Sequence, residues 1–202
     1  MNESTDSRPF PLVALLLALL IGACQPQAGS PPLEGATMGG AFTLTDQNGR
    51  QVSDRDFAGR YRIVYFGFAS CPDVCPVDLQ TIGAGLRAFE AQDAERAARV
   101  QPIFISVDPA RDTPTVLGEY VRNFHPRLIG LTGSPQTLAE VARRYAVYYR
   151  IGEPANPADP NSYLVDHARM AVLYGPQGEP VAIIPHDQGP DGVAQELDRW
   201  VR

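Results

Sequence analysis

Two hydrophobic rhythms alternate along this chain. Largely apolar runs at 63–68, 103–107 and 128–131 are short, rich in Ile, Val, Leu and Phe, and bounded by turn-forming residues. Each predicts a strand buried on both faces. After the first run, Leu79, Ile82, Leu86 and Phe89 fall on one face of a helix opening near Val77, with Gly83 and Gly85 allowing close packing. Thr113-Pro114 and Ser134-Pro135 each pair a capping side chain with a proline at the first helical position. They predict helices reaching about Asn123 and Val147. Upstream, Ala41–Thr45 and Arg50–Val52 flank Asp46-Gln47-Asn48-Gly49, a hairpin signal. Downstream, a Pro- and Gly-rich loop at about 151–161 precedes Met170–Tyr174 and Val181–Ile184, which flank a Gly-Pro-Gln-Gly turn and predict a second hairpin. Val193, Leu197, Trp200 and Val201 complete the pattern as an amphipathic helix.

Strands alternating with helices, then a hairpin and a closing helix, describe an α/β domain over residues 41–202. Its central mixed β-sheet is flanked by helices and preceded by an N-terminal β-hairpin. Residues before it follow other rules. Leu12–Ile21 is an apolar run of ten, short of the roughly 20 residues that span a bilayer but suited to a signal-peptide core. It ends in Ile21-Gly22-Ala23-Cys24, which resembles the lipobox of bacterial lipoproteins. Residues 1–23 are therefore expected to be a signal peptide and Cys24 to be lipidated. Residues 24–40, rich in Pro, Gly and Ser, are expected to be a flexible tether.

Composition narrows the chemistry. The net charge of −6 argues against nucleic acid as a partner. All 17 basic residues are Arg, so Schiff-base and P-loop lysine chemistry are excluded. With Cys24 committed to lipid, Cys71 and Cys75 remain as a pair. As a structural staple they would close only a tiny loop and stabilise little. They lie where the first strand meets the first helix, and a cysteine pair at that junction points to a thioredoxin-like fold. At a helix N-terminus, free N–H groups and the dipole favour thiolate, the form that attacks disulfides and binds soft metals.

Choosing between those two jobs requires a third group, and the chain has three histidines. His125 reads as a cation near a helix C-terminus and His186 as a solvated loop residue. His167, in Val165-Asp166-His167, immediately precedes the Met170 strand, which packs beside the cysteine loop in a thioredoxin-like sheet. Asp166 is placed to orient its imidazole.

Four segments then carry a resemblance: Tyr65-Phe66-Gly67-Phe68-Ala69-Ser70-Cys71-Pro72-Asp73-Val74-Cys75-Pro76, Ser106-Val107-Asp108-Pro109-Ala110-Arg111-Asp112-Thr113-Pro114, Gly130-Leu131-Thr132-Gly133, and Val165-Asp166-His167. In order and spacing they resemble the Sco/SenC family of copper chaperones across nearly the whole domain. The resemblance implies one copper ion, Cu(I) or Cu(II), held by Cys71, Cys75 and His167. It further implies a periplasm-facing domain, lipid-anchored at the bacterial inner membrane, that delivers copper to the dinuclear site of cytochrome c oxidase subunit II. Its other partners would be a periplasmic copper donor and a thiol reductant. The donor set agrees: two thiolates and an imidazole suit copper, and structural zinc would want a fourth ligand. Asp73 and Asp166 are candidate outer groups. Asp73 is placed to modulate the site's potential or a docking surface. Ala168 departs from the Ser or Thr common after the family histidine. Asp108, Arg111 and Asp112 read first as a network that locks a loop.

The competing function is a periplasmic thiol–disulfide oxidoreductase in which Cys71 and Cys75 act catalytically on the target's cysteines. Against a plain thioredoxin stand three residues between the cysteines rather than two, no tryptophan before Cys71, and no proline before the Met170 strand. A peroxiredoxin lacks support because its proline-and-threonine setting around the cysteine is missing. A copper sensor has no positive signal.

Overall fold

The computed structural model describes residues 29–202. The signal-peptide and Cys24 readings lie outside that range. The predicted hairpin comprises β1 (Thr43–Asp46) and β2 (Gln51–Ser53), paired with Thr45 opposite Gln51. The Asp46 carboxylate accepts hydrogen bonds from the N–H groups of Asn48 (2.8 Å) and Arg50 (2.9 Å), which ties the turn. Then follow β3 (Tyr61–Gly67), α1 (Val74–Gln92), a short α2 (Ala94–Ala98) and β4 (Val100–Ser106). Next are α3 (Pro114–Val121), β5 (Ile129–Thr132), α4 (Pro135–Arg144), and β6 (Tyr149–Ile151) with β7 (Val165–His167). The chain closes with β8 (Ala171–Tyr174), β9 (Pro180–Ile183) and α5 (Gly189–Trp200).

Seven strands form one mixed sheet in the order β2-β1-β5-β4-β3-β8-β9. β3, β4 and β5 are parallel, joined by helical crossovers, whereas β8 runs antiparallel to β3. Every residue of β3 and β4 is buried, as their largely apolar runs predicted, and the burial extends to Arg62, Gln101 and Ser106. The architecture is thioredoxin-like, with helices flanking a central mixed sheet. Thr113 Oγ1 accepts from the Val116 N–H (3.3 Å) and Ser134 Oγ from the Thr137 N–H (3.1 Å), so both predicted caps form. Each cap of this kind stabilises its helix by about 1 kcal/mol.

Close packing locates α1. A Cβ on Gly85 would lie 2.4 Å from the Val193 Cβ of α5, so only glycine lets these two helices approach so nearly. Leu79, Ile82, Leu86 and Phe89 are all buried on the sheet side, as their spacing predicted. Each such burial contributes on the order of 1.5–3 kcal/mol.

Several boundaries differ from expectation. The helix opens at Val74 rather than Val77, so it takes Cys75 into its first turn. β6 and β7 pair as a separate two-stranded sheet, with Tyr149 opposite His167, where the sequence showed only a loop. Part of the expected tether lies against the body: the Leu33 N–H donates to the Val181 carbonyl (3.1 Å) and the Gly39 N–H to the Arg144 carbonyl (2.8 Å). Among the described residues no helix is long and apolar enough to cross a membrane.

Candidate metal centre

Three chain segments converge at the C-terminal end of β3. The β3–α1 loop carries Cys71, the first turn of α1 carries Cys75, and β7 carries His167. One ligand atom from each of the three lies within 4.8 Å of the others. The Cys75 Sγ is 3.1 Å from the His167 Nε2. No disulfide joins the two cysteines, and Cys75 is fully enclosed. Gly67 ends β3 because Cys75 needs its space: a Cβ there would meet the Cys75 sulfur at 2.9 Å.

The helix N-terminus acts on the pair unevenly. The Cys75 N–H donates to the Cys71 sulfur (3.4 Å), so a free helical N–H is aimed at Cys71. For Cys75 the expectation of a favoured thiolate fails, because burial pushes its thiol well above the ordinary range. Without metal, Cys75 holds its proton against His167. Burial also pushes the His167 imidazole below its usual value, keeping it neutral, the ligating form. Its Nδ1 lies 3.2 Å from the Ala168 carbonyl, and an Nδ1–H donated there leaves the Nε2 lone pair facing Cys75.

That carbonyl takes the place expected of Asp166. The Asp166 carboxylate is exposed and pairs instead with Arg150 across the β6–β7 ribbon at 2.7 Å. Adjacent strand residues point to opposite faces, so Asp166 cannot share His167's side. Asp73 stands exposed at the α1 N-cap position and caps nothing with its side chain. It lines a cavity of about 340 Å³ that leads to the site between Phe68, Pro72, Val74 and Leu164.

Behind the Cys–Cys–His group lies a polar residue that sequence reading missed. Asp78, one turn after Cys75, is buried and accepts from the Tyr65 hydroxyl (2.8 Å) and from Arg169 Nε (3.0 Å) and Nη2 (2.6 Å). Burial drives its pKa up, but the hydrogen bonds from Arg169 and Tyr65 outweigh it, so the carboxyl stays below its usual range. His186 is no solvated loop residue: its Nε2 lies 3.4 Å from Asp78 and its ring meets Tyr65 edge-on. The only sequence signal was an acid within the apolar stripe of α1. Arg169 thus ties the segment after His167 to the helix bearing Cys75.

The Asp108–Arg111–Asp112 network locks two loops. The Asp112 carboxylate accepts from the Ala69 N–H (2.8 Å), just before Cys71, and from Ser106 Oγ (2.6 Å). Asp108 accepts from Arg111 and from the Tyr163 hydroxyl (2.7 Å), while Arg111 donates to the Tyr163 carbonyl (2.8 Å), just before β7. His125 departs from its reading as a cation. It is buried beside Glu90, and burial lowers its pKa so that it is neutral.

Fold and site together define a thioredoxin-like domain bearing a Cys–Cys–His group that can hold a metal ion. Thioredoxin's cis-proline has no counterpart, for the described residues contain no cis peptide bond. The SCO1/SenC family model matches residues 30–202, and the chain belongs to that family. It is 39% identical over 175 residues to Protein SenC of Rhodobacter capsulatus, covering 87% of this chain and 74% of that one. It is 42% identical over 153 residues to a mitochondrial SCO2 homolog of Bos taurus, covering 75% of this chain and 56% of that protein. The chain spans about half the length of the mitochondrial relatives it matches. Among solved structures it resembles the crystal structure of Arabidopsis thaliana ScoI with copper bound. The TM-score is 0.72 at 37% identity, over 80% of this chain and 97% of that one.

Proposed function

We propose that this domain is a copper carrier for cytochrome c oxidase assembly. It takes one copper ion on Cys71 Sγ, Cys75 Sγ and His167 Nε2 and delivers it to the dinuclear copper site of subunit II. The convergence of two sulfurs and one neutral imidazole nitrogen within 4.8 Å carries this reading. Thiolates select copper over harder cations, and three ligands lack the fourth that structural zinc requires. An incomplete shell beside an open cavity also suits handover, since an incoming ligand can displace one donor at a time. Membership of the SCO1/SenC family and the copper-bound relative support it.

The anchor and address belong to the same reading: Cys24 lipidated and the domain held on the periplasmic side of the inner membrane. A Cys24→Ser variant should then appear in the soluble periplasmic fraction. Copper is tested with the reduced protein. It should bind one equivalent, and His167→Ala should weaken Cu(II) binding and change its sulfur-to-copper absorption while still permitting the disulfide. An unchanged spectrum and affinity in His167→Ala would remove the third ligand and the reading with it.

A second reading, reduction of the target's cysteines, is favoured by the nearness of two free cysteine sulfurs. There Cys71 and Cys75 would lose two protons and two electrons to the target's disulfide and become a disulfide themselves. Mixing with disulfide-bonded and with reduced apo subunit II separates the two: metal transfer to the reduced form without disulfide reduction supports the carrier.

A further inference from the structure

Arg62, the second residue of β3, lies five residues before Gly67 and so about 16 Å along the strand from the cysteine loop. Alternation places it with Val64 and Phe66 on the sheet face opposite α1. It is only 5% exposed, yet its guanidinium is always charged. Among the described residues Nε has no hydrogen-bond partner, Nη2 reaches only the Gly175 carbonyl at 3.4 Å, and Nη1 has no partner. No described carboxylate forms an ion pair with it. The two nearby in sequence and fold are engaged elsewhere: Asp54 Oδ1 accepts from the Phe42 N–H and Glu179 Oε2 from the Gln177 N–H. A cation withdrawn from water without a counter-charge is strongly disfavoured.

This guanidinium lines a cavity of about 470 Å³, within the range of small-molecule sites. Its wall is built from backbone that leaves room: Gly40, Gly59 and Gly178 all contribute. Gly178 lies flat against the guanidinium, where a Cβ would come within 2.7 Å of Nη2. Exposed Arg55 adds a second positive charge, and Asp54 is the one carboxylate in the wall.

We propose that this cavity binds a small oxyanion, a carboxylate or phosphate group borne by a compact molecule, through the unpaired guanidinium of Arg62. The fork of N–H donors matches either group. Asp54 disfavours ligands with a second anionic group. The site is remote from the copper ligands and independent of their role.

The test uses metal-free protein with butyrate and inorganic phosphate as separate probes, each against sodium chloride of equal ionic strength. Saturable shifts of the Arg62 Nε–H and Gly178 amide resonances, with a rise of a few degrees in Tm, are expected for one or both anions. The stronger response identifies the group. Arg62→Met should abolish the response and, by removing an unpaired buried charge, raise Tm in anion-free buffer. Ala58→Trp, which fills the cavity from its wall and leaves Arg62 intact, should also abolish it, and serves alone should Arg62→Met not fold. No response beyond chloride, or an undiminished one in the variants, overturns the proposal.

Discussion

At Cys75 and His167 the physical chemistry is a contest between burial and a nearby partner. Burial keeps the thiol protonated and the imidazole neutral, so a metal must displace the Cys75 proton to bind. Copper affinity should therefore fall as pH decreases through neutrality, with proton release on binding measurable by titration in buffers of different ionisation heat. Asp78 and Arg169 act on the same pair through position. Arg169→Met leaves a buried carboxylate with only the Tyr65 hydroxyl and the neighbouring His186 imidazole, a loss of about 1–3 kcal/mol. It should also broaden the His167 resonances in the metal-free protein. Arg169→Lys should restore stability better than geometry, because an ammonium cannot reproduce the two-pronged contact.

At the scale of elements, the approach of α1 to α5 is set by one missing methyl group. Gly85→Ala should destabilise by about 1–3 kcal/mol in a denaturant titration, since Val193 and the Pro190 carbonyl already occupy the space. Without such a loss, the packing of α1 on α5 would be looser than described. The elements themselves were unequally legible. β3, β4 and the caps at Thr113 and Ser134 could be read directly, because a largely apolar run and a cap-proline pair have few alternative solutions. α2 and the β6–β7 ribbon could not: five helical residues show too little periodicity, and three-residue strands gain their order from pairing across the loop. The ribbon nevertheless positions His167, so the residue that joins the cysteines was picked out while its support was missed.

Across the whole molecule, Cys75 and His167 lie 92 residues apart in the chain, and only the fold brings them together. Copper should thus raise Tm, and the increase should shrink in His167→Ala, as scanning calorimetry can show. Among the groups through which acid acts on the fold are two histidines, buried His125 and half-buried His167, both with lowered pKa, and Asp78. His125 has a lowered folded pKa, so the stability it contributes is complete above its unfolded value of 6.5 and is lost as pH falls through the folded one. Asp78 is also lowered, so its contribution is lost only further down, below the unfolded value of 3.8. Stability measured from pH 7 to 3 should decline first through the histidine window, and His125→Gln should flatten that part of the curve in part, leaving the His167 share.

The order of strands and helices, the placement of two cysteines at a strand-to-helix junction and the choice of His167 were written in the sequence, because apolar periodicity, caps and motif spacing are local properties. The protonation of Cys75, the outward turn of Asp166 and the burial of His186 against Asp78 were decided only by the tertiary structure. Each depends on which groups from distant segments share one low-dielectric interior, and no local pattern of residues records that.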